Sequence, residues 1–259
     1  MGLLNKINIR HGPQQQALRV ANGIARDILL KTAAQIRHGV TTGEVDRFAA
    51  AEMKVRRCKS AFLGYRKFPG HICISINEEV VHGIGGPRRI AYGDVVKMDV
   101  GIIREGWIGD TATSVPVGIV DPATEKLLAA TEEILQGAVD LARPGNRVGD
   151  ISHFVESQAA SCGYSVVREF VGHGVGRHLH EDPQVPNFGK RNSGPKLKPG
   201  MTLAIEPMIN MGKSKVRVLA DKWTAVTDDG LPSAHFEHTV LVTDNTPEVL
   251  TWPRKTLLK

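Results

Sequence analysis

The sequence predicts a mixed α/β protein of the α+β kind, built as two related halves that each set a pair of helices ahead of short strands. Three observations carry this expectation. Residues 14–37 and 122–141 bear apolar side chains at helical spacing. Residues 94–114, DVVKMDVGIIREGWIGDTATS, place two apolar, β-branched runs on either side of Arg104-Glu105-Gly106, the pattern of a β-hairpin. A weak internal repeat matches Gly39, Gly43 and Phe48 to Gly145, Gly149 and Phe154 at an offset of 106, and Gly93–Asp99 to Gly200–Glu206 at an offset of 107.

In chain order, the first helix follows the Gly12-Pro13 break and gathers Leu18, Ala21, Ile24, Ala25, Ile28, Leu29 and Ile36 on one face. Thr41-Thr42-Gly43-Glu44 has the form of a capping box and opens a second helix through about Val55. Residues 72–76, ICISI, read as a strand, and the hairpin follows Tyr92-Gly93. In the second half Pro122 starts a helix with Leu127, Leu128, Ile134, Leu135, Val139 and Leu141 as its apolar positions; Pro144-Gly145 ends it, and Val148-Gly149-Asp150 leads into another, to about Ser161. Residues 165–180 and 201–210 supply two further segments. Residues 234–242, AHFEHTVLV, read as one alternating strand with His235, Glu237, Thr239 and Leu241 on the same face, so Glu237 is expected in mid-strand. Pro207 cannot donate to a ladder, which places Glu206 where a strand ends or meets a gap. The last residues, TWPRKTLLK, read as a surface tail.

Composition sets bounds. At 259 residues, 41% hydrophobic and 23% charged, the chain can bury a sizeable core, and a single catalytic domain over 1–259 is expected, with halves of about 10–120 and 121–252. No run approaches the ~18 uncharged apolar residues of a membrane span. The start, MGLLNKINIR, lacks the apolar core and cleavage site of a signal peptide. A cytoplasmic protein without a membrane partner is therefore expected. A monomer is expected as well, though nothing in the sequence fixes the oligomeric state. Cys58, Cys73 and Cys162 form no CxxC pair and are expected as reduced thiols. The net charge of +6 is dispersed over Arg56-Arg57, Arg88-Arg89, Lys190-Arg191, Arg254, Lys255 and Lys259. That is solvated surface rather than a DNA-binding face, and it leaves open a weak attraction to an RNA-rich assembly such as the ribosome.

The chemistry begins at the hairpin. A turn centred between Arg104 and Glu105 would set Asp99 directly opposite Asp110, with Cβ atoms roughly 4.5–5.5 Å apart. Among Met98, Val100, Ile102, Trp107 and Ile108, two such carboxylates stay ionised only with a cation between them. The repeat gives Asp99 an acidic counterpart, Glu206, in the second half. Adding His173 and Glu237 makes four carboxylates and one imidazole, a set without thiolates that suits Mn, Fe, Co or Zn in a site other than a structural zinc. Four buried negative charges call for two divalent ions. Bridging carboxylates can hold such ions ~3.5–4 Å apart, where a shared water becomes hydroxide near neutral pH. The glycines of Gly172-His173-Gly174-Val175-Gly176 let backbone and substrate approach His173. A Gly-x-Ser-x-Gly elbow, a His-Glu-x-x-His zinc motif and a Walker A lysine are all missing from the sequence.

With these residues assembled, the chain closely resembles the type I methionine aminopeptidases of the pita-bread fold, over about residues 10–252. The resemblance rests on motifs in the family's order: Asn77-Glu78-Glu79-Val80-Val81-His82-Gly83, Met98-Asp99-Val100, Gly109-Asp110-Thr111, Gly172-His173-Gly174-Val175-Gly176, His180-Glu181-Asp182-Pro183, Ile205-Glu206-Pro207-Met208 and Phe236-Glu237-His238-Thr239. It implies two pseudo-symmetric halves around a central antiparallel sheet backed by helices. It also implies a dinuclear-metal enzyme that removes initiator methionine from the N-termini of nascent polypeptides when the second residue is small, a metal-bridging hydroxide attacking the scissile carbonyl. Asp99 would chelate one ion, His173 and Glu206 the other, and Asp110 and Glu237 would bridge. His82 would contact the scissile amide or substrate amine, His180 would donate to the oxygen of the tetrahedral intermediate, and Glu206 would count among the catalytic residues. Tyr65, Phe68, Cys73, Leu179 and Trp223 would line an apolar pocket for the thioether side chain.

Two positions depart from the family's commonest pattern: Phe62 stands at the pocket rim where a small residue, often Cys, is usual, and Leu179 where an aromatic is often found. Both bear on pocket shape rather than on the reaction. His178, in an extended segment, would share the side of His180 and face away from Leu179, as a solvated side chain or a competitor for a third ion. Two rival readings are a proline-specific peptidase of the same fold, whose usual N-terminal domain has no counterpart ahead of the catalytic half here, and a non-catalytic binding module, which normally lacks some of the five ligands.

Overall fold

The computed structural model describes residues 7–251; the first residues of the chain and the tail expected at 252–259 lie outside the described residues. Four helices form as their caps direct. α1 (Pro13–Ala33) starts at Pro13 and buries Leu18, Ala21, Ala25, Ile28 and Leu29. α2 (Thr42–Val55) begins at the Thr41 capping box: the Thr41 hydroxyl accepts from the Glu44 N–H at 3.2 Å, and Glu44 accepts from the Thr41 N–H at 2.7 Å. α3 (Pro122–Asp140) is capped by Asp121, which accepts from the Ala123 and Thr124 amides. At α4 (Val148–Ser161), Asp150 reaches back to the Arg147 N–H at 2.7 Å.

The first half continues through β1 (Lys59–Ser60), β2 (Cys73–Ile76), β3 (Glu79–Val81), β4 (Val95–Arg104) and β5 (Trp107–Pro116). After α4 come β6 (Ser165–Val166), β7 (Gly172–Gly174), β8 (Glu181–Val185), β9 (Thr202–Ile205) and β10 (Met208–Asn210). The chain then forms β11 (Val216–Val218), β12 (Ala225–Thr227), β13 (Ser233–His235), β14 (His238–Leu241) and β15 (Glu248–Val249). Every pairing of these strands is antiparallel. β4 carries β5 on one edge and β1 and β2 on the other; a five-stranded sheet runs β15-β14-β9-β7-β8.

Burial explains why these layers hold. α1 and α2 press Leu18, Ile28, Leu29 and Val45 onto Ile74, Met98 and Ile102 of β2 and β4, while α3 and α4 press Leu127, Leu135 and Ile151 onto Leu203, Ile205 and Val240 of β9 and β14. Each fully buried aliphatic side chain contributes roughly 1.5–3 kcal/mol. The two packed layers meet along β5. There Glu237 donates its backbone N–H to the Ala112 carbonyl at 3.1 Å, Thr111 Oγ1 donates to the Glu237 carbonyl at 3.0 Å, and Thr239 Oγ1 donates to the Asp110 carbonyl at 2.8 Å. These buried hydroxyls satisfy carbonyls that would otherwise be orphaned, and they fix the hairpin against the second half at the level of its second aspartate.

Candidate metal centre

The hairpin turn sets the first part of the site. Glu105 and Gly106 both have positive φ, 52° and 74°, the two-residue turn that matches strand twist, and Arg104 therefore pairs with Trp107. This corrects the expected register. The turn is centred between Glu105 and Gly106, so Asp99 faces Ala112 and Asp110 faces Gly101. The reason is that Gly106 supplies the second positive-φ position, which moves the centre one residue along and the pairing by two. A two-residue shift preserves the face, and the aspartates are diagonal neighbours rather than opposite ones. Cys73 is the residue directly beside Asp99, across from it on β2.

Glu206 and Glu237 occupy breaks in the strands. Glu206-Pro207 separates β9 from β10, as Pro207 requires, while Phe236-Glu237 separates β13 from β14. Glu237 is thus not in mid-strand as the alternation suggested: β5 takes its backbone N–H at that point and splits the segment. The registers of the two flanking ladders, Ile205 with His238 and Met208 with His235, place Glu206 and Glu237 opposite each other. The directly opposed acids are this pair.

His173 is the middle residue of β7, facing Ala204 on β9. Its flanking glycines allow the close approach, since a Cβ at Gly172 would lie 2.4 Å from the Ala204 carbonyl oxygen and one at Gly174 2.3 Å from that of Asp182. Nδ1 of His173 lies 2.9 Å from the Gly174 carbonyl and must carry the proton there. That leaves the Nε2 lone pair 3.4 Å from Glu206 Oε1 and 3.9 Å from Asp110 Oδ2.

Electrostatically this cluster is incomplete on its own. Burial pushes the His173 imidazole down to about 3, so at neutral pH its Nε2 is an acceptor and brings no positive charge to the acids around it. Burial raises Asp110 to about 7. Burial and the mutual repulsion of the acids hold Asp99, Glu206 and Glu237 well above the usual carboxylate range. Asp99 Oδ1, Asp110 Oδ1 and Glu237 Oε1 are buried without a hydrogen-bond partner, which is costly for such groups. Ligand atoms of Asp110, His173 and Glu237 lie within 4.8 Å of one another. Four buried acids that resist ionising for want of a compensating charge, beside an imidazole nitrogen lone pair, fit divalent cations bound by oxygen and imidazole nitrogen.

The thirteen residues given a metal, catalytic or pocket role from sequence all line one cavity of about 850 Å3: Phe62, Tyr65, Phe68, Cys73, His82, Asp99, Asp110, His173, Leu179, His180, Glu206, Trp223 and Glu237. The Phe68 and Trp223 rings meet edge to face at 5.1 Å, and His82 meets Phe170 likewise at 4.9 Å. Burial lowers His82 to about 4. The His180 Nδ1 lies 2.8 Å from the Tyr65 hydroxyl, and burial followed by the nearby Arg66 charge keeps the ring neutral. Where the Tyr65 hydroxyl donates to Nδ1, the neutral ring carries its proton on Nε2. Phe62 finds room because Gly101 stands opposite, where a Cβ would lie 2.3 Å from the ring. His178 and Leu179 do not alternate as an extended segment would make them. Residues 177–180 form a tight loop, and His178, Leu179 and His180 all line the cavity.

Three residues of the site were not anticipated as such. His235 Nε2 lies 3.7 Å from Glu206 Oε2 and has no hydrogen-bond partner; its place two residues before Glu237 was the available signal. Phe170 and Met208 complete the apolar wall, and nothing in their spacing marks them.

Comparisons with known proteins agree over most of the chain. The model of metallopeptidase family M24 matches residues 16–244. Methionine aminopeptidase 1 of Bacillus subtilis is 48% identical over 216 residues, which is 83% of this chain and 87% of that protein. The methionine aminopeptidase of Clostridium acetobutylicum is 42% identical over 246 residues, 95% of this chain and 98% of its own length. The crystal structure of methionine aminopeptidase from Thermotoga maritima superposes with a TM-score of 0.94 at 41% identity, covering 96% of this chain and 100% of that one.

Proposed function

This chain belongs to metallopeptidase family M24, and we infer that it is a metal-dependent methionine aminopeptidase of the pita-bread fold that cleaves initiator methionine from nascent chains with a small second residue. The observation that carries the reading is the convergence of Asp99, Asp110, His173, Glu206 and Glu237, with three buried, unpartnered carboxylate oxygens, in one cavity that they share with Phe62, Phe68, Phe170 and Trp223.

In this reading Asp99 would hold one divalent ion of the Mn, Fe, Co or Zn type, His173 and Glu206 would hold a second, and Asp110 and Glu237 would serve both. Such ions would supply Lewis-acid polarisation of a carbonyl and acidified water. The chain's own residues do the remaining work. Phe68, Tyr65, Cys73, Trp223, Phe62 and Leu179 enclose the unbranched thioether side chain and exclude water from it. His82, neutral and set against Phe170, contacts the scissile amide. His180 donates its Nε2 proton toward the oxygen that gains negative charge, with Tyr65 fixing the ring. Glu206 takes a proton at its carboxylate from the attacking water and delivers it to the leaving amine. A bulky second residue would collide with the ligand cluster, hence the preference for small ones.

Peptides beginning Met-Gly and Met-Leu, assayed with and without chelator, test this. Met-Gly is expected to be cleaved roughly 100-fold faster than Met-Leu, and chelator to stop both. Equal cleavage of the two or full activity without metal would sink the reading, cleavage of Xaa-Pro peptides alone would favour the proline-specific rival, and metal-free, inert protein the binding module. His180→Ala is expected to keep its metal while turnover falls about 100- to 1000-fold, the size of effect seen on losing one donor to a developing oxyanion; elemental analysis beside kinetics checks it.

The same proposal takes the protein as a single catalytic domain and a monomer acting in the cytoplasm, with at most a weak attraction to the ribosome through its dispersed basic surface. No helix among the described residues is long and apolar enough to cross a membrane.

A further inference from the structure

We propose that Glu181 is a positioning residue for turnover: tied to Asn8 and Arg10 ahead of α1, it holds the 177–180 loop that presents His180 to the cavity. The proposal rests on the catalytic reading above for what His180 does, and on geometry alone for what Glu181 holds.

Glu181 follows His180 directly and opens β8. Its Oε1 accepts from two backbone amides of the loop, the N–H of Arg177 at 2.8 Å and that of His178 at 3.1 Å. Its Oε2 accepts from Asn8 Nδ2 at 2.8 Å and from the Arg10 guanidinium. Both charged side chains are buried, Glu181 being 6% and Arg10 9% exposed. Charge-assisted bonds of this kind are about twice as strong as neutral ones. Arg10 Nε is buried without a partner, so the guanidinium relies on Glu181 for compensation. The backbone at Gly176 passes so close over the pair that a Cβ there would lie 2.3 Å from Arg10 Nη2 and 2.9 Å from Glu181 Oε1.

The other side of the loop is pinned to the hairpin that carries Asp99 and Asp110. Arg177 Nη1 donates to the carbonyls of Glu105 at 3.2 Å and Gly106 at 3.1 Å, and Ile108 donates its N–H to the Gly176 carbonyl at 2.8 Å. The Arg177 guanidinium sits 4.0 Å over the Trp107 ring, and that of Arg10 lies 5.5 Å from the same ring. His180 emerges from this support with its ring 4.3 Å from that of His173. Glu181 thus links the segment before α1 to His180, whose ring packs against that of the proposed ligand His173, without itself belonging to the ligand cluster.

The test is Glu181→Gln, which keeps the shape but loses the charge and one acceptor, with Arg10→Lys as a milder second variant. In Glu181→Gln, kcat on Met-Gly peptides is expected to fall roughly 10- to 100-fold, the range for residues that orient a first contact, with KM nearly constant and metal content unchanged. Arg10→Lys should give a smaller loss in the same direction. Hydrogen exchange at the Arg177 and His178 amides should accelerate in Glu181→Gln. In the His180→Ala background, Glu181→Gln should change kcat little further, because it acts through His180. Losses that multiply in the double variant, or a Glu181→Gln protein with unchanged kcat and unchanged amide exchange, would overturn the proposal. A wild-type protein inactive on Met-Gly would overturn the functional reading instead, and the amide exchange rates would still decide whether Glu181 holds the loop.

Discussion

Replacing Asp110 with asparagine is expected to strip the protein of metal and of activity together, while making the metal-free protein more stable. Asp110 is 3% exposed, its Oδ1 has no partner, and its Oδ2 points at the His173 Nε2 lone pair. Asparagine has the same outline but no charge, and its amide nitrogen is a donor where a ligand is needed. As a shared ligand, Asp110 should matter more than any residue that only orients one, so metal affinity and turnover should each fall by more than about 100-fold. The stability effect has the opposite sign. Without metal, an ionised Asp110 is buried and poorly solvated and raises the cost of ionising Asp99, Glu206 and Glu237 beside it, and removing the charge relieves both. A gain on the order of 1–2 kcal/mol in the chelated protein at pH 8 is expected, comparable to other substitutions that trade function for stability. Elemental analysis, steady-state kinetics and urea titration of the chelated proteins check the three parts. An active Asp110→Asn protein would remove Asp110 from the ligand set.

How far the sequence foretold this site depends on which kind of signal each residue leaves. The helices were legible to within a few residues because their caps are local: Thr41 with Glu44, and Pro122 after Asp121, act within one turn. The hairpin was legible as a hairpin, but its register was not, since Gly106 and Glu105 both had to be recognised as left-handed before the turn could be centred. Glu206 was placed correctly at a strand end by the chemistry of Pro207. Glu237 was misplaced in mid-strand, because a period of two along AHFEHTVLV reports alternation but not that β5 intrudes and bonds the Glu237 amide. The convergence of five proposed ligands from β4, β5, β7 and two strand breaks is a product of tertiary pairing, for which the repeat was a partial hint and the family resemblance a fuller one. Glu181 stood inside a motif that was singled out, yet its partners, Asn8 and Arg10, lie about 170 residues away, and no local pattern connects them.

The difference in stability between metal-loaded and chelated protein is expected to widen as pH rises from 7 to 9. In the chelated protein Asp110 is raised to about 7, and Asp99, Glu206 and Glu237 are raised further by burial and by one another. A carboxyl whose folded pKa is raised stabilises the fold below its unfolded pKa, and that contribution is lost as pH climbs through the folded pKa. Above pH 7 the unfolded chain has already released these protons, so each acid that still holds one when folded costs up to about 1.4 kcal/mol per pH unit. The buried histidines act with the opposite sign and in another window. His173 and His235, lowered to about 3, and His82 and His238, lowered to about 4, stabilise the fold above an unfolded pKa of roughly 6.5 and lose that contribution as pH falls, so they add no slope above pH 7. Lys97, lowered to about 7 by burial, strengthens the fold with rising pH in this window and partly masks the acids in the chelated protein alone. It lies outside the ligand set and contributes equally with metal bound, so it cancels in the difference. Metal binding displaces the ligand protons and leaves the loaded protein with nothing to lose from these acids. Parallel urea titrations of loaded and chelated protein at pH 7, 8 and 9 measure the difference directly; a constant gap across that range would mean that the four acids are already ionised in the metal-free fold, and that their mutual repulsion is relieved by something other than retained protons.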